Sequence, residues 1–157
     1  MNPIGRAGRV RGFTLVELAI ALAILGVLGA LSLNQYLAYI ERVRVARAVV
    51  ELKDITAQLD PIAFEGGTLP SSLAAIGLGG RRDPWGRPYA YLRIRGSSLA
   101  TKSKSRKDQF LVPLNTDYDL YSRGKDGLSQ PKISEPVSLD DVVRANNGAF
   151  LGLAAKY

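Results

Sequence analysis

The strongest constraint on this chain is a continuous apolar segment near its N-terminus. The 21 residues 13–33 contain a single ionisable side chain, Glu17. At about 1.5 Å per residue, a helix of this length spans roughly 30 Å, which is the thickness of the hydrocarbon core of a bilayer. The segment therefore predicts one helix that is long enough to cross a membrane.

The residues before this segment favour a cytoplasmic N-terminus. Residues 1–12 carry Arg6, Arg9 and Arg11 and no acidic residue, and basic residues beside an apolar segment hold that end in the cytoplasm.

Two simpler interpretations of the apolar segment fit less well. A secretory signal peptide has a shorter apolar core that ends at a cleavage site between small residues, whereas this segment continues without interruption into a long helical pattern. A plain membrane anchor fits the length but leaves Glu17 unexplained, because a carboxylate in such a segment costs about 3 kcal/mol or more.

The junction between the basic and apolar parts carries a recognisable sequence. The string GFTLVE at residues 12–17, with the apolar residues after it, resembles the class III signal of type IV pilins and type II secretion pseudopilins. In that family a membrane-embedded aspartyl prepilin peptidase cuts after the glycine and methylates the new N-terminal amine. The resemblance implies cleavage between Gly12 and Phe13, so that residues 1–12 form a leader peptide.

Glu17 is the residue to which the resemblance assigns a role in assembly. After cleavage, the Phe13 amine is a cation near the hydrocarbon, and Glu17 lies one helical turn further along. Two opposite charges attract strongly where water is scarce, whether within one subunit or between neighbours. The resemblance implies the second arrangement, in which Glu17 of an incoming subunit pairs with the Phe13 amine of the preceding subunit in a filament.

Helical periodicity continues beyond the membrane segment. Apolar residues recur every three or four positions as far as about Leu59. Asp60-Pro61 and then Gly66-Gly67 are the predicted helix terminators. Residues 13–36 are thus predicted to form the transmembrane and filament-core helix. Residues 37–157 would form a periplasmic head that includes the second, amphipathic half of the helix.

The rest of the head predicts a small sheet. Residues 89–95 and 118–122 alternate well enough for strands, and the short apolar run at residues 110–112 is predicted to form another strand. The predicted fold class is α+β, with the long N-terminal helix packed on a small antiparallel sheet and followed by a C-terminal loop. The apolar C-terminal tail is expected to return to the core.

Two strings in the head extend the resemblance. DPWGRPY at residues 83–89 predicts a turn anchored by a tryptophan, and it resembles the DPWG-x-PY string of the type II secretion major pseudopilin. YDLYSRGKDG at residues 118–127 resembles the YDLYS-x-G-x-DG string of the same proteins. Together they narrow the resemblance to that class of pseudopilin.

The second string implies a calcium ion in the C-terminal loop. In the family, the aspartate before the last glycine binds calcium together with backbone carbonyls and a second acid. The implied ligands here are Asp126, the Arg123 carbonyl and either Asp140 or Asp141, with Ser129 a weaker candidate. From the residues alone, Asp126-Gly127 also fits a plain turn, and Asp140 or Asp141 also fits the N-cap of a helix at residues 142–145.

Charge and composition limit the other functions. Residues 93–107 hold six basic and no acidic side chains, but no aromatic residue lies within 97–107. This pattern favours a solvated hairpin tip over a nucleic-acid site. The absence of His and Cys excludes disulfides, thiolate metal sites and His-dependent catalysis. No other catalytic constellation is visible, so the sequence does not predict an enzyme.

The predicted function is that of a structural subunit of a type II secretion pseudopilus in the bacterial inner membrane and periplasm. The expected partners are further copies of the chain, other pseudopilins, prepilin peptidase, the inner-membrane secretion platform and the inner membrane itself, with no nucleic acid. One alternative is a type IV pilin or minor pilin, whose head commonly carries a disulfide. Another is a DNA-uptake pseudopilin, which would bind phosphates through the basic hairpin.

Overall fold

The computed structural model describes residues 12–157, and it divides into two compact units. The first contains the described residues up to Ile40, and the second is Glu41–Tyr157. One 50-residue helix, α1 (Leu15–Phe64), begins in the first unit and ends in the second. Residues 1–11, most of the predicted leader peptide 1–12, lie outside the described part of the chain.

The first unit is a helix with no buried side chain. All its residues from 12 to 39 are exposed, including leucines, isoleucines and valines on every side. Among the described residues, α1 is the one helix that is long and apolar enough to cross a membrane. A helix that is apolar all round requires an apolar environment, such as lipid or neighbouring helices. Its length and exposure support membrane anchoring.

The second half of α1 carries the stripe that faces the core of the head. Its buried side chains are spaced three or four apart and comprise Ala48, Leu52, Ile55, Thr56 and Leu59. The predicted end at about Leu59 is too early, because α1 passes the first predicted terminator with Pro61 inside the helix. It ends at Phe64, two residues before the second predicted terminator, Gly66-Gly67. Ile62 and Ala63 pack against the core and hold this last turn in place.

A four-stranded antiparallel sheet packs against this stripe. Its strands are β1 (Ala90–Arg93), β2 (Tyr118–Ser122), β3 (Val142–Ala145) and β4 (Phe150–Leu153), and they lie side by side in chain order. The predicted α+β fold, with a long helix on a small antiparallel sheet, is confirmed. The C-terminal tail does return to the core, as β4.

Two local predictions differ from the structure. Residues 110–112 form no strand, and the Phe110 side chain is 89% exposed in an irregular loop. Residues 142–145 form β3 rather than a capped helix, because both faces of the sheet are buried. Val142 packs in the cluster that contains the α1 stripe, whereas Val143 packs in a second cluster with Leu114. Adjacent residues of a strand point to opposite faces, so a two-sided core favours a strand here.

Candidate functional site

The residues predicted for processing and assembly lie in the first turn of α1 and directly before it. The Thr14 carbonyl accepts a hydrogen bond from the Leu18 N–H at 3.1 Å, so Thr14 is the N-cap residue. The Thr14 hydroxyl accepts the Glu17 N–H at 3.2 Å, and Glu17 Oε2 accepts the Thr14 N–H at 2.8 Å. This reciprocal pair is a capping box, which satisfies backbone donors at a helix N-terminus.

The capping box gives Glu17 a local role that the sequence reasoning missed. The signal was present, because Thr14 and Glu17 have the T-x-x-E spacing of a capping box directly before an apolar run. A carboxylate here also interacts favourably with the positive end of the helix dipole. Glu17 therefore stabilises the start of α1 within a single chain, whatever it binds in an assembly.

Gly12 and Phe13 lie just before the helix and are accessible. Both residues are exposed, and Phe13 is 90% exposed. A Cβ added at Gly12 would meet nothing within 4 Å among the residues that the structure describes. The fold of this chain therefore does not itself require glycine at position 12.

In the head, the two strings that extend the resemblance form one structural unit around Asp83. Asp83 Oδ1 accepts the backbone N–H groups of Trp85 and Arg87 at 3.1 and 2.8 Å, which closes the predicted turn. Asp83 Oδ2 accepts the Ser122 hydroxyl at 2.6 Å. The carboxylate thus joins residues 83–89 to the end of β2.

Arg87 makes the second connection between these strings. Its guanidinium donates to the Gly124 carbonyl at 2.7 Å and to the Lys125 carbonyl at 3.2 Å. Two other side chains of residues 83–89 bind α1 instead. Trp85 Nε1 donates to Glu41 at 3.2 Å, and the Tyr89 hydroxyl donates to Glu51 at 2.7 Å. The turn predicted around Trp85 therefore links the helix to the loop that follows β2.

The five predicted calcium ligands bind two different sets of partners. Asp140 Oδ2 accepts the backbone N–H groups of Lys125 and Asp126 at 2.7 and 3.0 Å. Asp126 Oδ1 accepts the Leu128 N–H at 2.7 Å, and the Arg123 carbonyl accepts the Gly127 N–H at 3.1 Å. These three residues stabilise the turn at residues 123–128 through backbone hydrogen bonds.

Ser129 and Asp141 instead surround a guanidinium. Asp141 Oδ2 accepts Arg106 Nη2 at 2.6 Å and the Ser129 hydroxyl at 2.6 Å. Among the residues that the structure describes, no three acidic side chains form a group suited to a metal ion. Calcium prefers six to eight oxygen ligands, whereas one oxygen of each of the five predicted ligands already accepts a hydrogen bond from the chain itself. Calcium binding stays a prediction drawn from the resemblance.

We expect Gly124→Ala to destabilise the head, because Gly124 has φ +60° and an added Cβ would overlap the Asp140 carbonyl. The left-handed backbone alone costs about 1–2 kcal/mol for a residue with a side chain. Urea unfolding of the full chain in detergent micelles, followed by the fluorescence of its one tryptophan, Trp85, measures the loss. Gly80→Ala is the control, since a Cβ there meets nothing within 4 Å. Equal stability of the two variants would contradict this account of the loop.

The basic segment 93–107 is only partly the solvated tip that its composition predicted. The Arg95 guanidinium donates to the Ala63 carbonyl at 2.6 Å, at the C-terminal end of α1. Arg93 donates to the Leu69 carbonyl at 3.2 Å, and Arg106 is 3% exposed. Half of the six basic side chains therefore make internal contacts, for which the local sequence carries no signal.

Asp119 is a buried carboxyl beside this segment. It is 1% exposed, and it accepts the Arg106 backbone N–H at 2.6 Å and the Asn115 amide at 2.9 Å. Burial raises the pKa of Asp119 to about 6, although both donors favour the charged form. Asp117 raises this pKa further by charge repulsion. The carboxylate therefore destabilises the head at neutral pH relative to its protonated form.

The difference in stability between wild type and Asp119→Asn should depend on pH. An unfolded aspartate has a pKa of about 3.9, below the folded value of about 6. The folded state therefore retains a proton that the unfolded state has released, and this stabilisation is lost as pH rises through the folded value. From about pH 4 to pH 7, the advantage of wild type over the variant should fall by about 2–3 kcal/mol. A constant difference in urea unfolding across this range would contradict the assignment.

Comparison with known proteins identifies the N-terminal segment. Residues 8–33 match the family model described as the prokaryotic N-terminal methylation motif. The chain carries the methylation motif of type IV pilins and pseudopilins. The match includes the junction at Gly12 and Phe13 and the capping-box residue Glu17. The predicted resemblance is thereby confirmed.

The relatives of this pilin-like chain include both pilins and a secretion protein. A fimbrial protein of Neisseria meningitidis is 25% identical over 92% of this chain and 85% of its own length. The type II secretion system core protein G of Pseudomonas aeruginosa is 28% identical over 74% of this chain and 84% of its own length. A fimbrial protein of P. aeruginosa is 40% identical over 40% of each chain. No solved structure matches the chain significantly.

Proposed function

We propose that this pilin-like protein is a structural subunit of a type II secretion pseudopilus. The observation that carries the proposal is the unit formed by residues 83–89 and 118–127, where Asp83 binds Ser122 and Arg87 binds Gly124. Both strings resemble those of the major pseudopilin, and their hydrogen bonds join them into one element of the head. The similarity to core protein G over most of both chains supports the same function.

In this proposal, prepilin peptidase removes residues 1–12 and methylates Phe13. The mature chain is anchored in the inner membrane by the apolar half of α1, with its head in the periplasm. The exposed apolar side chains of residues 13–39 then pack against the helices of other subunits as the filament grows. The inner-membrane secretion platform adds the subunits, and the function depends on assembly rather than on catalysis.

A type IV pilin is the second candidate, favoured by the similarity to the Neisseria fimbrial protein over nearly the whole chain. A pilin would be assembled into a surface fibre instead of a periplasmic filament. The two candidates share the N-terminal segment, so the head and the assembly system must separate them. The chain has no cysteine, which removes the disulfide that pilin heads commonly carry.

Deleting the gene in its native host separates these functions. We expect the culture medium to lose secreted enzymes, which would accumulate in the periplasm, while surface fibres and twitching motility persist. Complementation with the wild-type gene should restore secretion. Complementation with Asp83→Ala, which removes the connection to Ser122, should restore it poorly. Loss of surface fibres with normal secretion would favour the pilin and contradict the pseudopilin.

A further inference from the structure

Arg106 is the most completely buried cation of the segment 93–107. It is 3% exposed, although an isolated guanidinium is very costly to remove from water. Its backbone is fixed on both sides, because its N–H donates to Asp119 Oδ2 at 2.6 Å and its carbonyl accepts the Leu114 N–H at 2.7 Å. The guanidinium lies 4.3 Å from the centre of the Tyr121 ring on β2. The surrounding structure therefore holds this side chain in a single position.

The partners of the guanidinium lie at both ends of residues 129–141, the second part of the loop between β2 and β3. Arg106 Nη2 donates to Asp141 Oδ2 at 2.6 Å, and Nη1 donates to the Gln130 carbonyl at 2.9 Å and to the Ser129 hydroxyl. Ser129 in turn donates to Asp141. One cation thus contacts a carboxylate, a backbone carbonyl and a hydroxyl, which are oxygen donors of the types that bind calcium.

The backbone next to Arg106 also pairs with the loop between β2 and β3. The Lys107 N–H donates to the Pro131 carbonyl at 2.9 Å, and the Ile133 N–H donates to the Lys107 carbonyl at 3.0 Å. The segment that carries Arg106 therefore lies alongside residues 130–133. Ile133 enters the second hydrophobic cluster of the head. The contact combines main-chain pairing, apolar packing and one buried ion pair.

We propose that Arg106 serves as a resident cation that stabilises the loop of residues 129–141 in place of a bound metal ion. The resemblance implies a divalent cation in the loop between β2 and β3, bound by Asp126, the Arg123 carbonyl and either Asp140 or Asp141, with Ser129 a weaker candidate. Of these five residues, Arg106 contacts Asp141 and Ser129. In this chain, the guanidinium neutralises Asp141 and holds both the Ser129 hydroxyl and the Gln130 carbonyl. Arginine remains charged at every physiological pH. Because the cation is covalently part of the chain, the order of the loop does not depend on the calcium concentration.

Thermal unfolding of the purified full chain in detergent micelles tests the first consequence. A protein whose folded state binds calcium becomes more stable as free calcium increases. We expect the same Tm in EDTA and in millimolar calcium, with magnesium as a matched control for ionic strength. A Tm that rises with calcium but not with magnesium would overturn the proposal. This arm uses the unaltered protein, so the folding of a variant cannot obscure it.

Hydrogen exchange tests the second consequence. In Arg106→Met, which keeps much of the apolar volume, amides of residues 129–141 should exchange at least about tenfold faster, because several charge-assisted hydrogen bonds are lost. Arg106→Lys should restore little, since one ammonium cannot reproduce the fork of donors. Lys104→Met removes an exposed charge from the same segment and should leave the exchange unchanged. Unchanged exchange in Arg106→Met would also overturn the proposal.

These measurements do not rest on the proposed function. They use purified protein and report only on the head, so either proposal can fail without the other. A calcium-dependent Tm would overturn the proposal for Arg106 and would not affect the proposal of a pseudopilus subunit. Normal secretion after deletion of the gene would overturn the proposal of a pseudopilus subunit and would not affect the proposal for Arg106.

Discussion

Glu17→Gln is expected to abolish filament assembly while leaving cleavage and membrane insertion unchanged. Glutamine at this position can still accept the Thr14 N–H, so the capping box survives. What it lacks is the negative charge that would neutralise the Phe13 amine of the neighbouring subunit. At 4 Å and an effective dielectric constant of about 20, that attraction is about 4 kcal/mol per contact. A loss of this size at every subunit should leave no measurable filament.

The matched control is Thr14→Ala, which removes the cap hydroxyl and keeps the charge. Loss of an N-cap costs about 1 kcal/mol of helix stability, far less than the loss of a charge pair at every contact. Filaments sheared from cells and counted by electron microscopy give the readout, and the cleaved fraction on immunoblots checks processing. Normal filaments from Glu17→Gln, or equal defects in both variants, would contradict a role for the Glu17 charge in assembly and leave only its role in the capping box.

Arg144→Met is expected to cause the largest loss of stability in the head. The Arg144 side chain is 1% exposed, and it binds both Asp117 oxygens at 2.9 and 2.7 Å. It also reaches Asp60 on α1 at 3.2 Å and lies 4.0 Å from the centre of the Tyr118 ring. Burial opposes the charge, but the bonds to Asp117 keep the pKa of Arg144 above its usual value.

Removal of one partner from a buried ion pair costs about 3–5 kcal/mol, because the remaining charge is left without compensation. Here Asp117 would be the uncompensated charge. Urea unfolding followed by Trp85 fluorescence measures the change in the full chain. Arg47→Met is the control, since Arg47 is 69% exposed in its pair with Glu51 and such pairs contribute at most about 1 kcal/mol. Similar losses in the two variants would contradict the structural role of Arg144.

The parts of the fold that the sequence predicted depend on local patterns. The apolar half of α1 and the strands near residues 90 and 118 follow from periodicity and from flanking turns. The end of α1 was misplaced because Pro61 is a strong local stop. Contacts of Ile62 and Ala63 with a distant part of the chain override that stop. Residues 110–112 are apolar enough for a strand but pair with no other strand in the described structure.

The parts that were missed depend on contacts between distant residues. Strand β3 contains Arg144, which suggests a surface position until Asp60 and Asp117 are seen beside it. Arg106 was assigned to a solvated tip because the segment around it is polar and basic and has no aromatic residue within 97–107. Nothing in a single sequence reveals which cation of a basic segment is buried. The capping box at Thr14 and Glu17 is different, since its T-x-x-E spacing can be recognised in the sequence alone.

The N-terminus of the protein recovered from its native membranes tests the central claim most directly. The claim is that the junction of residues 12–17 is a site of processing and assembly. Intact-mass and fragment-ion spectra should show a chain that begins at Phe13 with one added methyl group on its amine. A chain that retains residues 1–12, or that is cut within the apolar segment as a signal peptide would be, would contradict it.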